Sequence, residues 1–242
     1  SDDESARKVV SLVVKTPPSL SGLPDVPVVA KGFVGLTGAF NITNPEGNFT
    51  VWSGEDFDIG GSGETRVRHP TVANTLMNAS TKTYRGSDII DNDPNLASMT
   101  SDEYARAILG DEADDYCGTY QQVANIKDAV ISPNGGKICV ENPGGGPVKW
   151  TENDDIGDSD TSYVLVAKGG LDMSGNGNFY GIVFSDGTTE NTGGRTIHGS
   201  VISTGIFGKA GNVEVIFSSA AIKNLTGDDT ESTGIPGTWK DW

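Results

Sequence analysis

Apolar and small residues alternate in short runs along much of this chain, as in Leu36, Gly38, Phe40, Ile42 and again in Leu171, Met173, Gly175, Gly177, Phe179. A period of two predicts strands with one face buried. Each of these stretches follows a copy of one tetrapeptide, Val29-Ala30-Lys31-Gly32 and Val166-Ala167-Lys168-Gly169, at a common offset of 137 residues. The second copy leads into Gly181-Ile182-Val183-Phe184, then Ile197, Val201 and Ile202, then Val213, Val215 and Phe217, separated by turns rich in Gly, Asn and Asp. Repeated short strands of this kind predict a mainly β fold, a parallel β-helix or β-solenoid. Its blocks run over about 6–63 and 163–225 and stack as neighbours, with Val29, Phe40, Ile42, Val166, Phe179, Ile182, Val201 and Val215 in the core.

The rest of the chain departs from this pattern. Residues 6–15, with Val9, Val10, Leu12, Val13 and Val14, read as a buried strand closed by Pro17-Pro18. Over about 64–160 the periodicity lapses, which predicts an irregular excursion containing one short helix, 101–109. Thr100 and Glu103 have the spacing of a capping box there, and Gly110 stops the helix. Ile126 to Ile131, the turn Pro133-Asn134-Gly135-Gly136 and Ile138 to Val140 read as a return to strands. A polar tail, 226–242, carries Trp239 and Trp242, which either dock on the chain's own body or contact a partner. The 242 residues are read as a single domain.

Charge narrows the partners. The net charge is −16, from 33 acidic against 17 basic residues. Such a chain repels phosphate backbones, so nucleic acid is excluded as a partner. No apolar run is long enough to span a membrane, and no signal peptide is visible. The expectation is an excised ectodomain whose parent extends upstream. Cys117 and Cys139 are the two cysteines, and an even count without metal-ligand neighbours predicts a disulfide in an oxidising compartment. Two unrelated buried thiols are the alternative.

Candidate chemistry is sparse. His69 and His198 lack metal spacing, and neither nucleophile elbow nor phosphate loop is present. Asp91, Asp93 and Asn95, with Asp102 twelfth, imitate the oxygen spacing of a calcium loop, but Leu96 stands where the sharp turn needs glycine. A turn entering the helix is the favoured reading. The acidic loop Glu152, Asp154, Asp155, Asp158, Asp160 is a second candidate for calcium, against a merely solvated loop. Asp172 and Asp186 show no carboxylate or basic partner at strand spacing, so no catalytic constellation is expected. No cofactor is expected.

Four stretches carry a family resemblance: Ser1 to Arg7 leading into the valines, Asn44 to Gly54 with its Val51-Trp52-Ser53-Gly54, Asp88 to Asp93 running into Leu96-Ala97, and Pro236 to Trp242. They resemble the ectodomain of PilX-like type IV pilus assembly proteins, a minor-pilin-like family. The resemblance implies a non-enzymatic structural or adhesive component of a pilus assembly or tip complex. Its partners would be other pilins or pilus-assembly proteins, with a surface or glycan ligand as a further candidate. It also implies an extracellular, pilus-borne location, reached from an inner-membrane anchor with this domain in the periplasm. The anchoring N-terminal helix of that family is absent from this chain. The rival readings are a β-helical carbohydrate-active enzyme and a polysaccharide-binding adhesin or tailspike-like module.

Overall fold

The structure, a computed structural model, describes residues 25–110, 112–118, 121–209, 211–223 and 225. The strand expected over 6–15 and the tryptophans Trp239 and Trp242 lie outside these residues.

Short strands recur in sets. The first set is β1 (Val28–Ala30), β2 (Val34–Leu36) and β3 (Asn41–Asn44), and the second is β4 (Val51–Ser53), β5 (Phe57–Ile59) and β6 (Glu64–Arg68). β7 (Leu76–Thr81) returns antiparallel along β6, and β8 (Ile89–Ile90) pairs with β4. Three helices follow, α1 (Pro94–Ser98), α2 (Ser101–Leu109) and α3 (Ala113–Gly118). Next come β9 (Gln121–Val123), a 3-10 turn (Ile126–Asp128), β10 (Gly136–Glu141) and β11 (Val148–Trp150). The last part holds β12 (Tyr163–Lys168), β13 (Leu171–Met173), β14 (Asn176–Asp186), β15 (Thr189–Asn191), β16 (Gly194–Ser203), β17 (Phe207–Lys209), β18 (Glu214–Ile216) and α4 (Ser219–Lys223).

Twelve strands form sheet A and six form sheet B, and the β6–β7 pair is the one antiparallel ladder among the described strands. Neighbouring strands in the second block are 18 residues apart: Tyr163, Gly181 and Gly199 share one column of sheet A, and Leu171, Thr189 and Phe207 one of sheet B. Spatial order departs from chain order. β16 pairs with β1, β17 with β2 and β18 with β3, so the first block continues where the second ends. Val166, Phe184, Ile202 and Val29 stand in a single column, which gives the duplicated tetrapeptide its physical reason. Both copies fill the same column positions, with β14 and β16 between them.

Alternate side chains of sheet A go to two cores. Val28, Ala30, Leu165, Val183 and Val201 meet Val34, Leu171, Trp150 and Phe207 of sheet B in one cluster. Val29, Val166, Ile182, Phe184 and Ile202 point the other way, onto Leu96, Tyr104, Ile108, Tyr116 and Ile222 of the four helices. A sheet covered on both faces reads as continuous apolar runs, such as the Tyr-Val-Leu-Val-Ala of β12. The helices depend on this contact. A nine-residue helix is marginal alone even with the capping box that Thr100 and Glu103 form, and burying Ile108 contributes ~1.5–3 kcal/mol. All eight residues expected in the core are buried.

The long strands β14 and β16 serve two ladders. Their C-terminal halves pair in sheet A with β12 and β1, and residues 176–180 and 194–198 form a further face with β18, β3, β6 and Ile156. Gly181 and Gly199 mark the division, at φ of 127° and 142°. A Cβ at Gly181 would run into the Tyr163 carbonyl, and one at Gly199 into the Gly181 carbonyl, so only glycine fits.

Three expectations are corrected. The stretch 64–160 is not an irregular excursion: β6, β8, β10 and β11 extend the two sheets from within it. It carries α1 and α3 besides the expected helix, because Asp93 caps α1 with Pro94 in its first turn and α3 buries Ala113, Tyr116 and Cys117. Ile126 to Ile131 is not a strand but a 3-10 turn, with Ile126 tucked into the core and Val130 and Ile131 left exposed. The second block ends in α4 and not in a strand, since Ala221 and Ile222 pack beneath sheet A.

Candidate functional site

Arg195 is the charged side chain the fold buries most completely, at 0% exposure. It is the second residue of β16 and stands opposite Gly177 of β14, where a Cβ would run into the Asn153 and Asp154 carbonyls. Its guanidinium lies 3.8 Å above the Trp150 ring and donates to the carbonyls of Asp154, at 3.3 Å, and Glu152. Burial lowers its pKa to about 10, opposed by the charges of Glu152, Asp155 and Asp154, so it stays a cation at neutral pH. The acidic loop therefore already wraps a cation, supplied by the chain itself. Within that loop, Asp155 accepts from the Asn178 amide at 2.6 Å, and Asp158 accepts from the amides of Asp160 and Thr161.

The other calcium candidates are likewise engaged locally. Asp93 caps α1 by accepting from Asn95 N at 2.9 Å, and its second oxygen accepts from the Trp52 indole at 2.9 Å. Asp91 pairs with Arg85, and Asp102 lies in the first turn of α2. Among the described residues no three His, Cys, Asp or Glu side chains converge as metal ligands. His69 accepts from the Thr71 and Val72 amides in an exposed turn. His198 stacks on Tyr180 at 4.4 Å, and burial lowers its pKa. Asp88, 2% exposed, accepts from the hydroxyls of Thr50, Thr65 (2.6 Å) and Ser80 (2.6 Å), tying β4, β6, β7 and β8 together.

Cys117 and Cys139 are bonded, joining α3 to β10 with Cα atoms 5.5 Å apart. Beside them lies a groove of about 410 Å³, lined by Gln122, Glu141, Lys168 and Asp114 among others. Lys168 is held by Asp114 at 2.7 Å and Glu141 at 3.3 Å, and its hydrogen bond to Asp114 is the main cause of a raised pKa. With both sulfurs bonded and the ammonium paired, this groove clamps α3 and offers no nucleophile.

Sequence reasoning missed two juxtapositions, and in sheet A one of them sets Lys168 opposite Asp186. Sheet B places Lys149, Asp172 and Glu190 on successive strands in one register column, pointing away from the core. Rungs are ~4.8 Å apart, close to the carboxylate separation of retaining glycosidases. Asp172 thus does have a carboxylate and a lysine at strand spacing. The 18-residue offset between Asp172 and Glu190 is the signal that finds it.

Comparison with known proteins adds no assignment: no family model, curated protein or solved structure matches this chain.

Proposed function

We propose that the chain winds as a β-solenoid and acts through its surfaces, as an exported, non-enzymatic structural or adhesive element of a cell-surface filament of the type IV pilus kind. The supporting observation is the arrangement of its faces. Eight parallel strands of sheet A, from β8 to β9, stack over a length of ~34 Å. Helices cover that sheet, while the outer sides of sheet B and of the 176–198 face carry polar side chains. A stiff body with long bare sides is suited to lateral contact. The Cys117–Cys139 disulfide fits assembly in an oxidising compartment, and no described helix is long and apolar enough to cross a membrane. Deleting the gene should reduce piliation and pilus-dependent adhesion, with complementation by the full-length form. Normal, functional pili in the deletion strain would refute this reading.

A second reading is favoured by the Lys149, Asp172 and Glu190 column, which has the elements a polysaccharide-cleaving β-helix needs. Release of reducing ends from an acidic polysaccharide, abolished by Asp172→Asn and by Glu190→Gln, would establish it. Lack of release across a panel of glycans would remove it.

A further inference from the structure

The two ends of the strand stack carry opposite charge. At one end, the chain from Thr65 to Ser87 holds four Lys or Arg and no Asp or Glu, in a protein of net charge −16; Arg66 pairs with Glu64 and Arg85 with Asp91, so Arg68 and Lys82 carry the uncompensated charge. This stretch forms most of the β6–β7 hairpin and the loop after it. β7 is the last strand of sheet A; Tyr84 bridges Thr81 at its C-terminal end, and no described strand lies beyond residues 76–78. Leu76 and Met77 are each 40% exposed at the start of β7, Val72 is exposed in the turn before it, and Tyr84 is exposed after its end. Natural sheets usually blunt or cover such an edge. At the opposite end, residues 152–160 bring five carboxylates and no basic side chain, with Asp154, Asp155, Asp158 and Asp160 exposed. Val130 and Ile131 are exposed near that end as well.

The two ends terminate one and the same face. Ile156 bridges Phe179, and from there the ladder runs through residues 194–198, β18 and β3 to β6 and β7. Five rungs of ~4.8 Å separate Ile156 of the acidic loop from β6, about three Debye lengths at physiological salt, so the two ends do not neutralise each other. A second copy placed end to end brings the basic edge of one molecule onto the acidic edge of the next and continues the ladder. We propose that this protein self-associates head to tail, with the Arg66–Lys82 hairpin edge of one copy docking on the 152–160 edge of the following copy. Such a contact does not close, so it builds linear oligomers. This goes beyond the proposed function, because it concerns the purified chain and holds or fails whatever the cell's pili do.

The test uses two charge-reversed variants of the full chain. Arg68 and Lys82 make no ion pair with any described residue, and the side chains of Asp154 and Asp160 accept no hydrogen bond from one, so these positions can be changed without dismantling a cap. Sedimentation velocity should show the wild type's average mass rising at least about twofold with concentration in about 20 mM salt and falling back to monomer in about 300 mM. Arg68→Glu/Lys82→Glu and Asp154→Lys/Asp160→Lys, each with a wild-type circular dichroism spectrum, should be monomeric alone. Mixed one to one, they should associate again, because each supplies the charge that the other has lost. A wild type that stays monomeric in low salt overturns the proposal. So does an acidic-edge variant that still associates alone, which would indicate a symmetric β7–β7 contact.

Discussion

Replacing Arg195 by methionine tests whether the buried cation organises the acidic loop. Methionine keeps an unbranched stem over Trp150 but removes both donors to the Glu152 and Asp154 carbonyls. A hydrogen bond from a charged donor contributes ~1.5–3 kcal/mol, so losing the two costs ~3–6 kcal/mol. Relief of the desolvation that lowers the Arg195 pKa offsets part of this, leaving a net loss of about 3 kcal/mol. For a chain of this size the melting temperature should fall by roughly 6–12 °C. Thermal unfolding followed by far-UV circular dichroism, backed by urea titration, gives the number. Arg195→Lys should fall between the two, since it keeps the charge without the planar fork. A methionine variant within about 1 °C of the wild type would refute the reasoning, because the loop would then hold its shape without its cation.

Removing the disulfide as Cys117→Ala/Cys139→Ala should cost about 3.4 kcal/mol in the chain-entropy model for a 22-residue separation, read from urea midpoints, and an unchanged midpoint would contradict it. His198 has a folded pKa below its unfolded value, so the unfolded state binds the proton first and stability is lost as the pH falls below about 6.5. His198→Asn should therefore lose less melting temperature than the wild type between about pH 7 and pH 5, and equal losses would refute the assignment. Calcium should leave the melting temperature unchanged. A site saturated one-hundredfold would add ~2.7 kcal/mol, so a rise of several degrees, reversed by chelator, would restore Asp91 and Asp93 or the 152–160 loop as ligands.

How much of this was legible in the sequence follows from what each position packs against. The alternation around Phe40 and Phe179 was plain, because those strands bury one face and leave the other near water. β12 was harder to orient, since both its faces are covered and no alternation survives. The 18-residue spacing is present in Gly169, Gly187 and Gly205 and in Gly175, Gly193 and Gly211, but it carries few large apolar residues, whereas the offset of 137 repeats a whole tetrapeptide. That period would have put Glu190 beside Asp172. β8 and β9 were invisible because two or three residues carry no period, and only pairing with β4 and β10 makes them strands. Arg195 could not be read as buried from sequence, as its partners are carbonyl oxygens, which every residue type possesses. The Asp93 cap is half legible: a turn entering a helix is the favoured reading of Asp91 to Asp102, but the spacing points to α2 and gives no sign that Asp93 caps a separate helix, α1.

The central claim, an exported element of a surface filament, is met most directly by immunogold electron microscopy of producing cells with an antibody to this domain. The account predicts label on surface filaments, along them or at their tips, in protein whose Cys117 and Cys139 resist alkylation without prior reduction. Label confined to the cell interior, in protein whose two thiols alkylate freely, would contradict it.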